Sequence, residues 1–312
     1  MVVGVHQDEK INLRVEMVLL VVLALIWATS YTFIKLGVAT IPPITLIAGR
    51  TLIAGGVLLV VLWMRGIAMP MDRAIWRRFF LQACLNSVVP FTLIAWAEQS
   101  VDADLAVILN ATTPIFTFLS AVFVTRHEHV TLRAGLGVAF GLAGVTIIVG
   151  FDALGGIGRE IWSQLAIVLS TICYAAAVIY GQSFKGVDSM IPAAGSLMAG
   201  AVILTPLSLI VDRPWTLHPS MTSIWALVCL SVISTALALV IYFRLMKTIG
   251  PVRATSQAFL RVPFGVALGA FALGESLNWT AWVGFICVLV GVGAMTLGPV
   301  GGAKPSAAGK AA

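Results

Sequence analysis

Charged residues are scarce in this chain, at 10% of its 312 residues, while hydrophobic residues make up 60%. Soluble domains carry about 25% charged residues, which help to cover an apolar core. A water-soluble fold of this length has too few polar residues to cover so much apolar material. The shortage of charge therefore excludes an ordinary soluble domain and predicts a protein that is embedded in lipid.

Motifs for catalysis and nucleotide binding are also absent. No G-x-x-x-x-G-K-[ST] segment occurs, which excludes ATP binding through a P-loop, and no G-x-S-x-G segment marks a nucleophile. The four histidines lie outside the long apolar stretches, and the four cysteines show neither metal-ligand nor disulfide spacing. We therefore expect no enzyme activity, no cofactor and no metal site.

What the chain has is a series of apolar stretches, most of them about 18 to 25 residues long. That length crosses the hydrocarbon core of a bilayer as a helix, and the stretches lack the alternating pattern of a membrane β-barrel. The fold class that follows is an all-α membrane protein with ten transmembrane helices. The predicted spans are 16–38, 43–64, 76–99, 101–124, 131–150, 161–182, 191–211, 222–246, 252–273 and 279–298.

Basic residues are distributed unevenly between the two sides of these spans. With the N-terminus in the cytoplasm, 14 lysines and arginines fall in cytoplasmic segments and 3 fall in outside segments. Cytoplasmic loops of membrane proteins carry such an excess, so we expect a multi-pass protein of the cytoplasmic (inner) membrane with both termini in the cytoplasm. The net charge of +6 then reflects topology, and nucleic acid is not an expected partner.

The two halves of the chain resemble each other. Pro114 in ATTPIFTFLSAVFVTRHE (111–128) and Pro263 in LRVPFGVALGAFALGE (260–275) stand 149 positions apart. Five spans per half is an odd number, so the halves are predicted to have opposite orientations, as in many secondary transporters. The expected division is a cytoplasmic segment at 1–15, a first five-helix repeat at 16–150, a second at 151–298 and a disordered cytoplasmic tail at 299–312.

Several motifs carry a resemblance to a known family. The segments WATSYTFIKLG and PPITLIAGR, followed by the paired P…E…G…GV segments, resemble the EamA branch of the drug/metabolite transporter superfamily. The resemblance covers nearly all of residues 16–298. It implies ten helices in two inverted five-helix repeats, a central cavity lined by spans 1, 3, 4, 6, 8 and 9, and transport of small metabolites or amino acids, often outward. The family commonly has an arginine at Arg50, which favours a structural role there.

Arg261 departs from that family pattern, which has an apolar or small residue at this position. It lies about nine residues into span 9, at a depth of roughly 13 Å, near the middle of the bilayer. A charge there costs roughly 2.5–3.5 kcal/mol on insertion scales, so it needs protein or water around it. One interpretation is a cavity cation that binds a carboxylate or phosphate; the alternative is a structural cation that is paired within the protein.

Polar and aromatic residues in the predicted lining spans complete the candidate binding site. Pro114 and Pro263 interrupt helical hydrogen bonding at matched positions, and paired interruptions of this kind point to a binding site. Packing kinks without ligand contact are the alternative. The predicted solute-binding residues are Arg261, Gln257, Asn110, Thr113, Trp27, Tyr31, Trp96, Tyr174 and Tyr242.

Lys35 and Glu98 lie near the predicted outer ends of spans 1 and 3 and are candidates for an outer gate. Lys35 could instead reach the membrane interface as a single side chain. Acidic residues fall only near the ends of the predicted spans, and Glu98, near the outer end of span 3, is the candidate among them. A proton relay at mid-membrane is therefore not expected, although antiport gated at Glu98 stays open.

The predicted function is secondary transport of a small metabolite or amino acid, anionic or zwitterionic, by alternating access and in the export direction. Coupling to protons in an efflux antiporter is the alternative within transport. A membrane-embedded enzyme or an accessory protein is the alternative of another class. The expected partners are a small-molecule solute and the lipid bilayer, and glycines at helix-packing spacing leave a homodimer open.

Overall fold

The computed structural model describes residues 12–101, 103–125, 132–153, 160–184, 186–273 and 279–297. Every regular element in this part of the chain is helical, as the composition predicts. The predicted tail at 299–312 and most of the N-terminal segment lie outside the described residues. The helices are α1 (Leu13–Val38), α2 (Pro43–Met64), α3 (Arg73–Ala97), α4 (Ala103–Asn110), α5 (Thr113–Ser120), α6 (Leu132–Ala153), α7 (Ile161–Gly181), α8 (Met190–Val211), α9 (Met221–Thr248), α10 (Pro251–Thr255), α11 (Gln257–Leu273) and α12 (Trp279–Thr296).

Seven helical segments are long and apolar enough to cross a membrane: α1, α2, α3, the segment Leu105–Phe123, α7 extended to Phe184, α8 and α9. Two further apolar helices, within α6 and α12, are shorter over their described residues. The prediction of an all-α membrane protein is therefore confirmed. Large apolar side chains such as Trp63 and Ile210 are exposed on the outer surface, as expected where lipid is the solvent.

Two pairs of helices pack closely across the chain, α2 against α8 and α6 against α12. The second pair meets through glycines: a Cβ on Gly137 would lie 2.7 Å from the carbonyl oxygen of Gly291, and a Cβ on Gly144 would lie 2.7 Å from that of Gly284. The surfaces of Gly137 and Gly141 are thus covered by α12 of the same chain, so they are not free to contact a second copy. Small residues let membrane helices approach at backbone distance.

The remaining helices form a group around α1 and α7. Helix α1 contacts α9 and α11, whereas α7 contacts α3 and α5. The segments 16–150 and 161–298 therefore interlock, since each supplies one helix that packs between helices of the other. The space between α1, α3, α7, α9 and α11 is the centre of the bundle.

The long helices are interrupted near this centre. In α3 the segment Cys84–Val88 is π-helical, and in α9 the segment Val232–Leu237 is π-helical. Asn86 of the first segment and Thr235 of the second stand 149 positions apart, the same separation as Pro114 and Pro263. Single π-helical turns are frequent at functional sites because they redirect side chains and break the regular ladder.

The predicted proline breaks take two different forms. Residues 111–112 form a turn between α4 and α5, and Pro114 lies at the start of α5, where its missing N–H costs little. Pro263 instead lies inside the continuous helix α11, and the chain breaks earlier, at Ser256 between α10 and α11. The two halves are thus interrupted in the same region but at different residues.

Candidate functional site

A cavity occupies the centre of the bundle, with about 560 Å³ of empty space between its walls and towards its opening. No aspartate or glutamate is among its described lining residues, whereas two arginines are. The lining residues are Trp27, Ser30, Tyr31, Ile34, Arg50, Asn86, Phe91, Ile94, Thr113, Tyr174, Val178, Leu239, Tyr242, Thr255, Gln257 and Arg261.

Arg261 projects from α11 into this cavity and is only 8% exposed. Its Nε donates to Oε1 of Gln257 at 2.8 Å, one helical turn earlier. Its Nη1 donates to Oδ1 of Asn110 at 2.9 Å and to the Tyr31 hydroxyl at 3.3 Å. All three partners are neutral, so within the described residues the charge of Arg261 is oriented but is not neutralised by a carboxylate.

An aromatic wall stands beside this guanidinium. The Trp27 ring lies 4.5 Å from the Arg261 guanidinium carbon, a cation–π contact. The indole N–H of Trp27 donates to the carbonyl oxygen of Ser234 at 3.1 Å, in the π-helical segment of α9. Tyr242 packs against Trp27 with ring centroids 5.3 Å apart. The π-helical segment therefore fixes the ring on which the cation rests, because its backbone supplies the acceptor.

Arg50 is a second cation in the same cavity, where the sequence favoured a structural role. Its Nε donates to Oγ1 of Thr235 at 2.6 Å, and its guanidinium carbon lies 3.7 Å from the centre of the Phe91 ring. The side chain is 2% exposed. No described residue accepts a hydrogen bond from its two terminal nitrogens, and Arg50 is one of the residues that line the cavity. Arg50 therefore both joins α2 to α9 through Thr235 and lines the cavity.

The cavity is rich in hydrogen-bond donors and poor in charged acceptors. The side-chain nitrogens of Asn86 and Asn110 are buried and have no hydrogen-bond partner in the described structure. The terminal nitrogens of Arg50 and Arg261 add further donors. Buried polar groups are normally paired, so unpaired donors beside a cavity indicate a place for an acceptor that is bound there. A carboxylate or another oxyanion has the matching chemistry.

Most of the predicted binding residues come together at this cavity. Arg261, Gln257, Thr113, Trp27, Tyr31, Tyr174 and Tyr242 line it, and Asn110 contacts Arg261. Trp96 is apart from them: it is 46% exposed near the end of α3 and is not a lining residue. Its large ring faces the surroundings of the bundle, as is common for tryptophan near a membrane interface.

Lys35 and Glu98 do meet, although not as a side-chain ion pair. The Lys35 ammonium donates to the backbone carbonyl oxygens of Glu98 and Val101, at 2.8 and 3.0 Å. Unpaired carbonyls at the end of a helix attract a cation, and Lys35 joins the end of α1 to the end of α3 in this way. The Glu98 side chain is fully buried beside this contact.

Four residues in or beside the cavity were not selected as solute-binding residues from the sequence. They are Arg50, Asn86, Phe91 and Thr235. The π-helical segments could not be read from the apolar pattern, because an extra residue in one turn leaves hydropathy unchanged. The signal that was available is the separation of 149 positions, which relates Asn86 to Thr235. In the described residues, no group of three or more histidine, cysteine, aspartate or glutamate side chains could hold a metal ion.

Comparison with known proteins gives a consistent result along the whole chain. The model of the EamA-like transporter family matches twice, at residues 14–150 and 161–297. The chain is 28% identical to the uncharacterized inner membrane transporter YedA of Escherichia coli K12, over 88% of this chain and 89% of that protein. It is 24% identical to the uncharacterized transporter YoaV of Bacillus subtilis, over 86% and 92% respectively.

A solved crystal structure has the same fold. It superposes with a TM-score of 0.73 and covers 91% of this chain and 98% of its own, at 16% sequence identity. The similarity in fold thus extends well beyond the similarity in sequence, and it includes nearly all of both chains.

Proposed function

The chain belongs to the EamA-like transporter family, and on that premise we propose that it is a secondary transporter of a small anionic or zwitterionic metabolite or amino acid. The single observation that carries this proposal is the Arg261 guanidinium in the central cavity. It is held by three neutral partners, and no described carboxylate lines the space in front of it. An anionic group of the solute supplies the missing charge.

The aromatic surroundings suggest the rest of the solute. An apolar wall of aromatic rings surrounds the two arginines and consists of Trp27, Tyr31, Tyr174, Tyr242 and Phe91. A carboxylate attached to an apolar or aromatic portion is complementary to that wall, since the rings exclude water and the arginines receive the charge. Aliphatic and aromatic amino acids and small carboxylic acids are the classes that combine these features.

We also propose that the bundle consists of ten helices in two inverted five-helix repeats, with α4 and α5 as the halves of one span and α10 and α11 as the halves of another. Two matches to one family model support this arrangement, as do the reciprocal contacts of α1 and α7 with the opposite half. Alternating access then follows from rocking of one half against the other around a central site. Location in the cytoplasmic membrane, with both termini inside and solute moving outward, belongs to the same proposal.

Proton-coupled efflux by antiport is retained as a second candidate because of one observation. The Glu98 side chain is fully buried and neither carboxylate oxygen has a hydrogen-bond partner in the described structure. A buried acid of this kind can exchange a proton with the solvent when the conformation opens. An enzyme acting on membrane substrates has less support, because the cavity lining lacks a described carboxylate pair.

The test is a metabolite profile of cells and medium, with and without overexpression, followed by exchange assays of the enriched compounds in proteoliposomes. Arg261→Ala removes at least one charge-assisted hydrogen bond to the solute, and one such bond contributes about 1.5–3 kcal/mol, so solute affinity is expected to fall at least about tenfold to hundredfold. Arg73→Ala is the matched control, because Arg73 is an exposed arginine at the start of α3. Wild-type flux in a correctly inserted Arg261→Ala protein would refute the binding role of this residue.

A further inference from the structure

Glu98 carries a buried carboxyl group without a hydrogen-bond partner in the described structure. It directly follows α3 and is 0% exposed. Neither of its carboxylate oxygens has a hydrogen-bond partner among the described residues. Ionised carboxylates in such dry surroundings are costly unless they are paired, and a neutral acid avoids that cost. The geometry of this conformation therefore favours a protonated side chain.

The groups that act on this carboxyl come from two helices. Lys35 and Arg50 influence it through their charges, and Tyr31 interacts with it electrostatically. The Lys35 ammonium is already committed to two backbone carbonyl oxygens. Arg50 in turn lines the solute cavity, and no described residue accepts a hydrogen bond from its terminal nitrogens. The charge of Arg50 thus acts both on Glu98 and on the cavity.

This sharing links the proton to the solute. When Glu98 is ionised, its negative charge partly offsets the charge of Arg50 and weakens the attraction of the cavity for an anion. When Glu98 binds a proton, the charge of Arg50 is available in full to an anionic group. Since binding linkage is reciprocal, an anion in the cavity must equally strengthen proton binding at Glu98.

We propose that Glu98 is the proton-binding site of this transporter and that one proton crosses the membrane together with each anionic group of the solute. The proton comes from water, converts the carboxylate to the acid, and returns to water on the other side. The proposal rests on the proposed function. It adds that export of a monoanion down its own gradient removes one acid equivalent from the cell and moves no net charge.

The first test is independent of the solute. Infrared spectra of the purified protein at neutral pH are expected to contain a carboxylic-acid C=O band that Glu98→Gln removes. Glu160→Gln is the matched control, because Glu160 is an exposed glutamate at the start of α7. The ends of α3 and α7 are neighbours, since the hydroxyl oxygens of Ser100 and Ser163 lie 2.8 Å apart. A wild-type spectrum without that band would overturn the proposal.

The second test uses proteoliposomes with an imposed pH gradient. The probe is an equimolar mixture of amino acids and short aliphatic and aromatic monocarboxylates, followed by mass spectrometry. With one proton per monoanion, a gradient of one pH unit is expected to concentrate the transported compound up to about tenfold on the alkaline side. Protein-free vesicles correct for passive permeation of neutral acids. Glu98→Gln is expected to exchange the same compound across the membrane without concentrating it.

The outcomes separate the two proposals. If the wild-type protein exchanges none of the compounds, the proposed function fails, while the infrared result still decides whether Glu98 holds a proton. If the wild-type protein exchanges a compound but ignores the gradient, only the proton site is overturned. Concentration on the acid side would overturn it as well, since that result means antiport. Loss of exchange in a folded Glu98→Gln protein would also contradict it, and Glu98→Asp, which keeps an acid, should retain the gradient response.

Discussion

Replacing Gly291 by alanine should destabilise the contact between α6 and α12. A Cβ at this position would lie 2.5 Å from the amide nitrogen of Gly141, 2.7 Å from the carbonyl oxygen of Gly137 and 2.9 Å from the Cα of Gly141. All three are backbone atoms, so no side-chain rotation can relieve the clash. The helices must separate by several tenths of an ångström along an interface that is otherwise closely packed.

The expected cost follows from two opposing terms. Overpacking of a well-packed interior costs about 1–3 kcal/mol. Alanine in place of glycine recovers up to about 1 kcal/mol in helix propensity. After full recovery of that 1 kcal/mol, Gly291→Ala is expected to lower stability by about 0–2 kcal/mol, and the loss is expected near 2 kcal/mol because the neighbours are backbone atoms.

Gly293→Ala is the matched control on the same helix. A Cβ there would meet only the Cδ1 atom of Leu297, at 3.6 Å, which is an ordinary contact. Thermal unfolding of both variants in detergent, followed by size-exclusion chromatography, should give a lower midpoint for Gly291→Ala and an unchanged or higher one for Gly293→Ala. Equal midpoints would refute the close approach of α6 and α12.

Two other regions give shorter tests. Glu16 is 2% exposed, accepts two hydrogen bonds from Arg244 and one from Thr248, and thereby joins α1 to the end of α9. Glu16→Gln should lower the free energy of unfolding by about 1 kcal/mol, because Arg244 is half exposed, and a lower unfolding midpoint would show this. Thr235→Val removes the acceptor of Arg50 and should weaken solute binding about threefold to tenfold in the exchange assay, whereas Trp96→Ala should leave binding unchanged.

The sequence predicted the helical membrane fold because hydrophobic length is a direct physical requirement of the bilayer. It also drew attention to Arg261, since a mid-membrane charge is costly and demands partners. Its reasoning did not reach Asn110 and Tyr31 as partners of that charge, because contacts across 151 and 230 positions depend on how the helices pack. Gln257 lies only four positions from Arg261, so its contact could have been inferred from helical spacing. The candidate set contained all three residues, but only as members of the lining spans.

Other features depended on details that apolar patterns do not contain. Trp96 was grouped with the lining aromatic residues because its span lines the cavity, but the rotation of α3 turns that ring outward. Arg50 was read as structural, and its single hydrogen bond to Thr235 fits that reading. That its terminal nitrogens have no described hydrogen-bond partner could be recognised only from the structure, which shows where the cavity lies.

The π-helical segments of α3 and α9 have a mechanical consequence. Such a turn accommodates an additional residue, so its conversion to regular α-helix rotates everything beyond it by about 100° and lengthens the helix by about 1.5 Å. In α9 that twist would carry away both the oxygen that steadies Trp27 and the hydroxyl that steadies Arg50. One screw-like motion of a single helix is thus sufficient to break both contacts at once. The other half of the chain contains a π-helical segment of the same kind, in α3.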